Sequence, residues 1–295
     1  MPQRPDSKLP FIKMHGLGND FIILDLRSGH LRPDSEALRV LADRRRGIGC
    51  DQIMLLSASS SGADIWLDMV NADGSVAGAC GNGTRCVAWL LMQETAKDRV
   101  EIDTISGRLS AWINETGLIS VNMGPARLDW QDIPLANAQD TLDVSFDEMP
   151  FGTAVCVNMG NPHAVFFVDD ADQIDVARWG AFFESHDMFP QKANIEFVSQ
   201  IADNHLRMRV YERGAGITLA CGSGACAAGV AAIRRNLATG PVIITLDGGE
   251  LVIDWQQTQA GRPDSVIMTG EVSLVAEGQI DSGFMTAARA VREGR

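Results

Sequence analysis

Residues 79–83 read ACGNG and residues 220–224 read ACGSG, 141 positions apart. Carrying that spacing towards the N-terminus lays DIWLDMVNADG (64–74) on HLRMRVYERGA (205–215), with Asn71 opposite Glu212. One residue further along, QIMLLS (52–57) falls on NIEFVS (194–199), and GNDFIILD (18–25) falls near GNPHAVFFVD (160–169), with Asn19 opposite Asn161. A single five-letter match is within chance. Four matches in one register mark an internal duplication, which fixes the domain count and pairs the functional positions.

Each copy has the same order: a Gly-Asn loop, a strand, a polar amide residue, two strands, a glycine turn and a helix. Short β-branched or alternating runs such as FIILD, QIMLLS, AVCVNMG, AVFFVDD, LRMRVYE, VIITL and LVIDW read as strands. After each Cys-Gly pair the pattern changes to TRCVAWLLMQETA or GACAAGVAAIRRN, apolar on nearly every face. A helix of that kind must be buried. The predicted fold is therefore α+β, two pseudo-symmetric lobes with strands wrapped around a central buried helix in each. PDSEALRVLADRRRG and DQIDVARWGAFFES look amphipathic and peripheral, the first starting at Pro33 and Asp34. Gly124, Pro125 and Pro134 interrupt the periodicity near 123–135, and EVSLVAEGQI after Gly270 reads as a strand returning to the first lobe. The expected division is 1–125 plus 270–295 around Cys80 and 126–269 around Cys221, with the active site in a cleft between them.

Composition narrows the function classes. The 295 residues carry 25 Lys and Arg against 38 Asp and Glu, a formal charge of -13, so a nucleic-acid partner, which would need basic residues on phosphates, is not expected. Arg44, Arg45 and Arg46 form the only basic run and read as a solvated helix end. The start MPQRPDSKLPFIKMHG lacks the apolar stretch of an export signal, and no run is long enough for a membrane span. Six cysteines in so long a chain fit reduced thiols in the cytoplasm rather than a disulfide scaffold.

Cys80 and Cys221 each precede a glycine at the start of a buried helix. Such a terminus offers unpaired N–H groups and a partial positive charge. The dipole, worth about 0.3–2 kcal/mol, is expected to lower a thiol by up to about one and a half pKa units. Two thiols facing one small molecule would titrate as a coupled pair, one ionised and one not. Such a pair can take a proton from one face of a carbon and return one to the other, which is racemisation or epimerisation without a cofactor. The N–H groups of Gly81, Asn82, Gly222 and Ser223 can hold the carboxylate on which charge then builds.

Other readings compete. A free cysteine is usually a small buried hydrophobe, and that is the reading for Cys50 and Cys156, within strand-like runs, and for Cys86 and Cys226, on the helix bodies. A zinc site would want C-x2-C spacing, where this chain has C-x5-C and C-x4-C, so no metal is expected. Asn19 and Asn161 fit turns, Gln52 and Asn194 start strands, Glu212 and Arg213 fit a solvated pair, and His163 fits a satisfied structural histidine. His15 is ambiguous; His30, His186 and His205 read as surface or loop residues.

Taken together, MHGLGNDFIILD, GIGCDQ, NADGSVAGACGNGTRC, MGNPHAVFFV, ANIEF and RVYERGAGITLACGSGACA resemble the diaminopimelate epimerase family, in collinear order from about residue 11 to 275. The resemblance implies a cytoplasmic enzyme of lysine and peptidoglycan-precursor biosynthesis, commonly a homodimer, that interconverts LL- and meso-2,6-diaminopimelate without pyridoxal phosphate or metal. It implies Cys80 as proton donor and Cys221 as acceptor in the LL-to-meso direction. Backbone amides of Gly81, Asn82, Gly222 and Ser223 would bind the carboxylate at the reacting centre. Asn19, Gln52, Asn71, Asn161, Asn194, Glu212 and Arg213 would bind substrate, and His163 and Glu212 would tune the thiols. Two departures concern loop packing: Cys50 where the family often has Phe, and Ile217 where it often has an acidic or amide residue. Rivals are a proline or hydroxyproline racemase of the same architecture, and a thiol redox or binding protein storing a Cys80–Cys221 disulfide. Glu212 and Arg213 favour a substrate with a second charged end, which proline lacks.

Overall fold

The computed structural model describes residues 8–147, 150–257, 264–281 and 283–284. The opening MPQRPDS and the remaining positions of the expected lobe ranges lie outside the described residues. The chain forms two compact units, one of residues up to 119 joined by those from 272 onward, the other of residues 120–271.

In the first unit, β1 (Leu9–Gly16), β2 (Asn19–Asp25), α1 (Ser35–Ala42), β3 (Gln52–Ser57), β4 (Ile65–Asn71) and β5 (Val76–Ala77) precede α2 (Gly81–Thr95), followed by β6 (Arg99–Thr104) and β7 (Gly107–Ile113). β8 (Ile119–Asn122) leads into the second unit, where β9 (Ala154–Asn158), β10 (Pro162–Phe167), α3 (Val176–Glu184), β11 (Asn194–Ala202), β12 (His205–Glu212) and β13 (Gly216–Ile217) precede α4 (Gly222–Arg234). β14 (Val242–Leu246), β15 (Gly249–Gln256) and β16 (Ser265–Gly270) complete it. β17 (Ser273–Ile280) lies antiparallel to β1, with Leu9 opposite Ile280.

The ladders repeat with the sequence. β1–β2 and β9–β10 are antiparallel, β2–β3 and β10–β11 parallel, β3–β4 and β11–β12 antiparallel. After each helix the chain resumes with a strand parallel to an earlier one, β6 beside β4 and β14 beside β12. Register is preserved too. Phe21 pairs with Gln52 as His163 pairs with Asn194, and Gln52 pairs with Asn71. In the second unit Asn194 and Glu212 stand one step beyond the Ile195–Tyr211 pair.

Both central helices are buried as their apolar composition requires. Val87, Ala88 and Leu91 of α2, and Ala225, Ala227, Val230 and Ala231 of α4, are at most 1% exposed. Under the peripheral helices the cores differ: Ile22, Leu24, Ile53 and Leu55 pack with Leu38 and Leu41 of α1 in an aliphatic cluster in the first unit, whereas Phe166 and Phe197 gather with Phe183 of α3 in the second, with Phe166 and Phe183 rings 4.5 Å apart.

Two local expectations need correction. Cys50 is buried, but in the loop before β3, its N–H donating to the Ala42 carbonyl at 3.1 Å. The arginine run lies beyond the end of α1, which the Asp34 side chain caps at its start by accepting from the Ala37 N–H at 2.9 Å. Arg44 is also more than a solvated charge, because its guanidinium bridges Asp20 and Asp51, both at 2.7 Å. Among the described residues no helix is long and apolar enough to cross a membrane.

Candidate active site

Each Cys-Gly junction is the N-terminus of a buried helix. Cys80 caps α2 and Cys221 caps α4, both in extended backbone, and each sulfur accepts the N–H of the residue three further on, Gly83 or Gly224, at 3.4 Å. That contact uses one of the orphan donors of a helix start. The first two N–H groups, of Gly81 and Asn82 or of Gly222 and Ser223, have no acceptor inside the helix and are the ones an anion can take.

In the first unit the Asn19 amide oxygen lies 3.8 Å from the Cys80 sulfur and accepts from the Asn82 side chain at 3.3 Å. Its nitrogen donates to Asp51 at 2.9 Å, and Asp51 is tied to Arg44. The amide therefore cannot turn over without breaking that bond. Gln52 donates to the Asn71 amide oxygen at 2.8 Å, and Asn71 donates to Ser75 at 3.0 Å. The buried oxygens Oε1 of Gln52 and Oδ1 of Asn82 have no hydrogen-bond partner. Buried acceptors left open carry a cost of about 1–3 kcal/mol each, which a ligand N–H or ammonium removes.

In the second unit His163 is fully buried, with Nε2 2.9 Å from the Asn161 amide oxygen and Nδ1 2.7 Å from Glu196 Oε1. Glu212 accepts from the Thr218 hydroxyl, and Ser223 lies 3.6 Å from the Cys221 sulfur. Asn194 donates to the Pro162 carbonyl at 2.9 Å and accepts the Arg213 N–H at 2.9 Å. The exposed Arg213 side chain is steadied by the Gln191 carbonyl, 3.1 Å from Nη1, while the next N–H, of Gly214, donates to Glu184 at 2.8 Å. Asn19 and Asn82 thus gather with Cys80 at the start of α2, and His163, Glu212 and Ser223 with Cys221 at the start of α4, while Gln52 with Asn71 and Asn194 with Arg213 form hydrogen-bonded pairs of their own.

The thiols divide by environment. Burial pushes Cys50 and Cys86 up to about 12 and raises Cys156 as well, so these three are packing residues with little thiolate character. Burial also raises Cys221 well above its ordinary value. Glu212 and Glu196 push the same way, against the Gly224 N–H and the Ser223 hydroxyl. The lowered thiol expected from the helix dipole is reversed here, because desolvation and two carboxylates outweigh a dipole effect of about 2 kcal/mol at most. Glu212 is itself raised by burial, against the Thr218 hydroxyl, the Cys221 thiol and the neighbouring His163.

Glu196 was not anticipated. The signal was present in the alignment of QIMLLS with NIEFVS, where a carboxylate replaces Met54 on a strand apolar in the other copy. Asp51, Thr218 and Glu184 were missed for a different reason: each acts by holding a neighbour through a contact that spacing alone does not show. Among the described residues no three His, Cys, Asp or Glu side chains are grouped as a cation would need.

The duplicated α+β fold is the one seen in a PhzF-family phenazine biosynthesis protein of Bacillus anthracis (TM-score 0.68, 14% identity, 93% of this chain and 99% of that one). A hydroxyproline epimerase from Agrobacterium vitis, solved with bound trans-4-hydroxy-L-proline, shares it as well (TM-score 0.67, 15% identity, 93% and 92% covered). At such identity the likeness concerns fold alone. Sequence is more specific. The diaminopimelate epimerase family profile matches residues 11–128 and 155–275. Diaminopimelate epimerases of Rhodospirillum centenum and Phenylobacterium zucineum are 50% identical over 276 residues (93% of each chain) and 49% identical over 279 residues (92% and 97%). The chain belongs to the diaminopimelate epimerase family.

Proposed function

We propose that the enzyme interconverts LL- and meso-2,6-diaminopimelate by a two-base proton transfer in which Cys80 and Cys221 serve opposite faces of one α-carbon. In the LL-to-meso direction the Cys221 thiolate takes the α-hydrogen as a proton, and the C–H electron pair passes into the carboxylate as an enediolate. The Cys80 thiol then protonates the carbon from the other face. The cycle leaves Cys221 as thiol and Cys80 as thiolate, the state required for the reverse reaction.

The observation that carries this reading is the paired capping geometry. A proton carrier at each helix start sits beside N–H groups that stabilise the growing negative charge on a carboxylate, a contribution that can reach 2.7–4 kcal/mol per donor in enzymes of known mechanism. The open oxygens of Gln52 and Asn82 support a substrate bearing an ammonium group. Arg213 supplies a planar fork suited to a carboxylate, and Glu212 a second acceptor. Both proton carriers belong to the chain itself, so the reading calls for no cofactor. Membership of the family further suggests a cytoplasmic homodimer, and sedimentation of the purified enzyme tests the dimer.

The test is incubation with LL-diaminopimelate in D2O. Formation of the meso isomer with one deuterium at the inverted α-carbon is expected. Absence of both epimerisation and deuterium overturns the reading, and turnover of proline instead would move the enzyme to the racemases of the same fold.

A further inference from the structure

One fully buried carboxylate has no part in that proton transfer. Glu196, on β11, is 0% exposed, its Oε1 lies 2.7 Å from His163 Nδ1, and its Oε2 has no hydrogen-bond partner. It lies directly under the first turn of α4. A Cβ placed on Gly224 would stand 2.8 Å from Glu196 Oε1 and 3.2 Å from the Cys221 sulfur, so the carboxylate and the thiol flank the same glycine. In the first unit the corresponding glycine, Gly83, stands over the Met54 thioether and the Phe21 ring. Phe21 holds the register position that His163 holds in the second unit, and Met54 holds that of Glu196.

The contacts of His163 bear on its protonation state. Both ring nitrogens face oxygens, the Asn161 amide oxygen at Nε2 and the Glu196 carboxylate at Nδ1. A neutral imidazole has one N–H, whereas an imidazolium donates at both positions. A lone buried carboxylate costs several kcal/mol, and a buried imidazolium is its natural partner. The other titratable groups around the pair are Glu212 on β12, Cys221 at the cap of α4 and Cys156 on β9, beyond which Arg234 donates to the Cys156 carbonyl at 3.1 Å. Without a cation at His163, a Cys221 thiolate would be the third negative charge in this buried group.

We propose that Glu196 is a positioning residue for the epimerisation: it holds His163 as an imidazolium, and that buried cation is what lets Cys221 give up its proton during turnover. The proposal rests on the reading that Cys221 exchanges a proton with substrate. The protonation of His163 is measurable apart from activity.

The decisive experiment is 15N NMR of the histidine rings in the full-length protein at the pH of the assay, with His163 assigned by the loss of its signals in His163→Asn. Two protonated ring nitrogens are expected in the wild type and one in Glu196→Gln, which keeps an acceptor but drops the charge. Removing that charge should lower kcat about 100-fold, in the range for losing assisted proton transfer, with KM changed less than about threefold, and Glu196→Asp should recover part of kcat. A neutral His163 in the wild type overturns the proposal, and so does a Glu196→Gln enzyme with wild-type kcat and pH profile. If the wild type fails to epimerise diaminopimelate at all, the proposed function falls instead, while the ring spectra still decide whether Glu196 charges His163.

Discussion

The two helix starts are built to one plan and stand on different floors. Above, they match: a cysteine cap, a sulfur accepting an N–H at 3.4 Å three residues on, and a glycine at that third position. Below, the first rests on Phe21 and Met54, the second on His163 and Glu196. Duplication kept the backbone that sets a cysteine sulfur at the start of a buried helix. Divergence changed the electrostatics beneath. A backbone donor set works through fixed geometry and survives sequence drift, whereas the affinity of a thiol for its proton depends on what is buried beside it. Under the proposed two-base reaction, two carriers that hand a proton in opposite senses gain from being unlike at rest.

The heaviest blow to this picture would come from the cysteines. Cys80→Ala and Cys221→Ala should each reduce epimerisation by at least about 1,000-fold, since residues that act as one unit lose nearly everything when either is removed. A coupled assay of meso-isomer formation measures it. Near-normal turnover in either variant would mean that the matched caps do not work as a pair.

The glycines above the two floors sharpen the comparison. At Gly83 an added methyl would meet the Met54 methyl and sulfur, the movable end of an unbranched side chain; at Gly224 it would meet the Glu196 carboxylate and come within 3.2 Å of the Cys221 sulfur. Met yields readily, whereas a fully buried carboxylate held against His163 and the capping sulfur beside it do not. Gly224→Ala should therefore lower kcat by about 10- to 100-fold, in keeping with the cost of small misplacements of reacting groups, while Gly83→Ala stays within about threefold. Equal losses would show that the floors do not differ in stiffness.

How much of this the chain itself discloses varies with the kind of contact. The helix starts and the return of the last strand to the first unit are legible because each follows from a repeated pattern or a period. β6 and β7 went unnamed in the sequence reading, although VIITL and LVIDW, which were named, are the second copies of the same hairpin. RVEIDT alternates charged with apolar residues, which is the period of a half-buried strand, so the signal was present there as well. The site was legible where a residue is duplicated, as with Asn19 and Asn161, and illegible where a partner arrives from elsewhere in the fold. Asp51 fixes the Asn19 amide from 32 positions away, and Glu196 reaches His163 from 33. The reversed thiol at Cys221 follows from the same blindness: the helix dipole is local and readable, while the desolvation that outweighs it belongs to the assembled unit.

The smallest expected effects concern stability and separate the units by sign. In the first, Asp20 is held well below the ordinary carboxylate range: burial alone would raise it, and the Arg44 and Lys13 cations beside it more than reverse that. In the second, Glu212 is raised, chiefly by burial. A depressed carboxyl stabilises the fold at pH above its unfolded value of 3.8 and loses that contribution as pH falls towards its folded one. A raised carboxyl does the opposite, contributing fully below its unfolded 4.5 and losing it as pH climbs through the higher folded value. Asp20→Asn should cost about 1–3 kcal/mol at neutral pH, the scale of a charge-assisted hydrogen bond, with the deficit shrinking in acid. Glu212→Gln should match the wild type near pH 4 and become the more stable of the two as pH rises towards 8, even as its activity is lost. Urea unfolding midpoints of the two variants and the wild type across that range measure both trends. Parallel curves would mean that the second helix start is not under the electrostatic strain that its buried carboxylates imply.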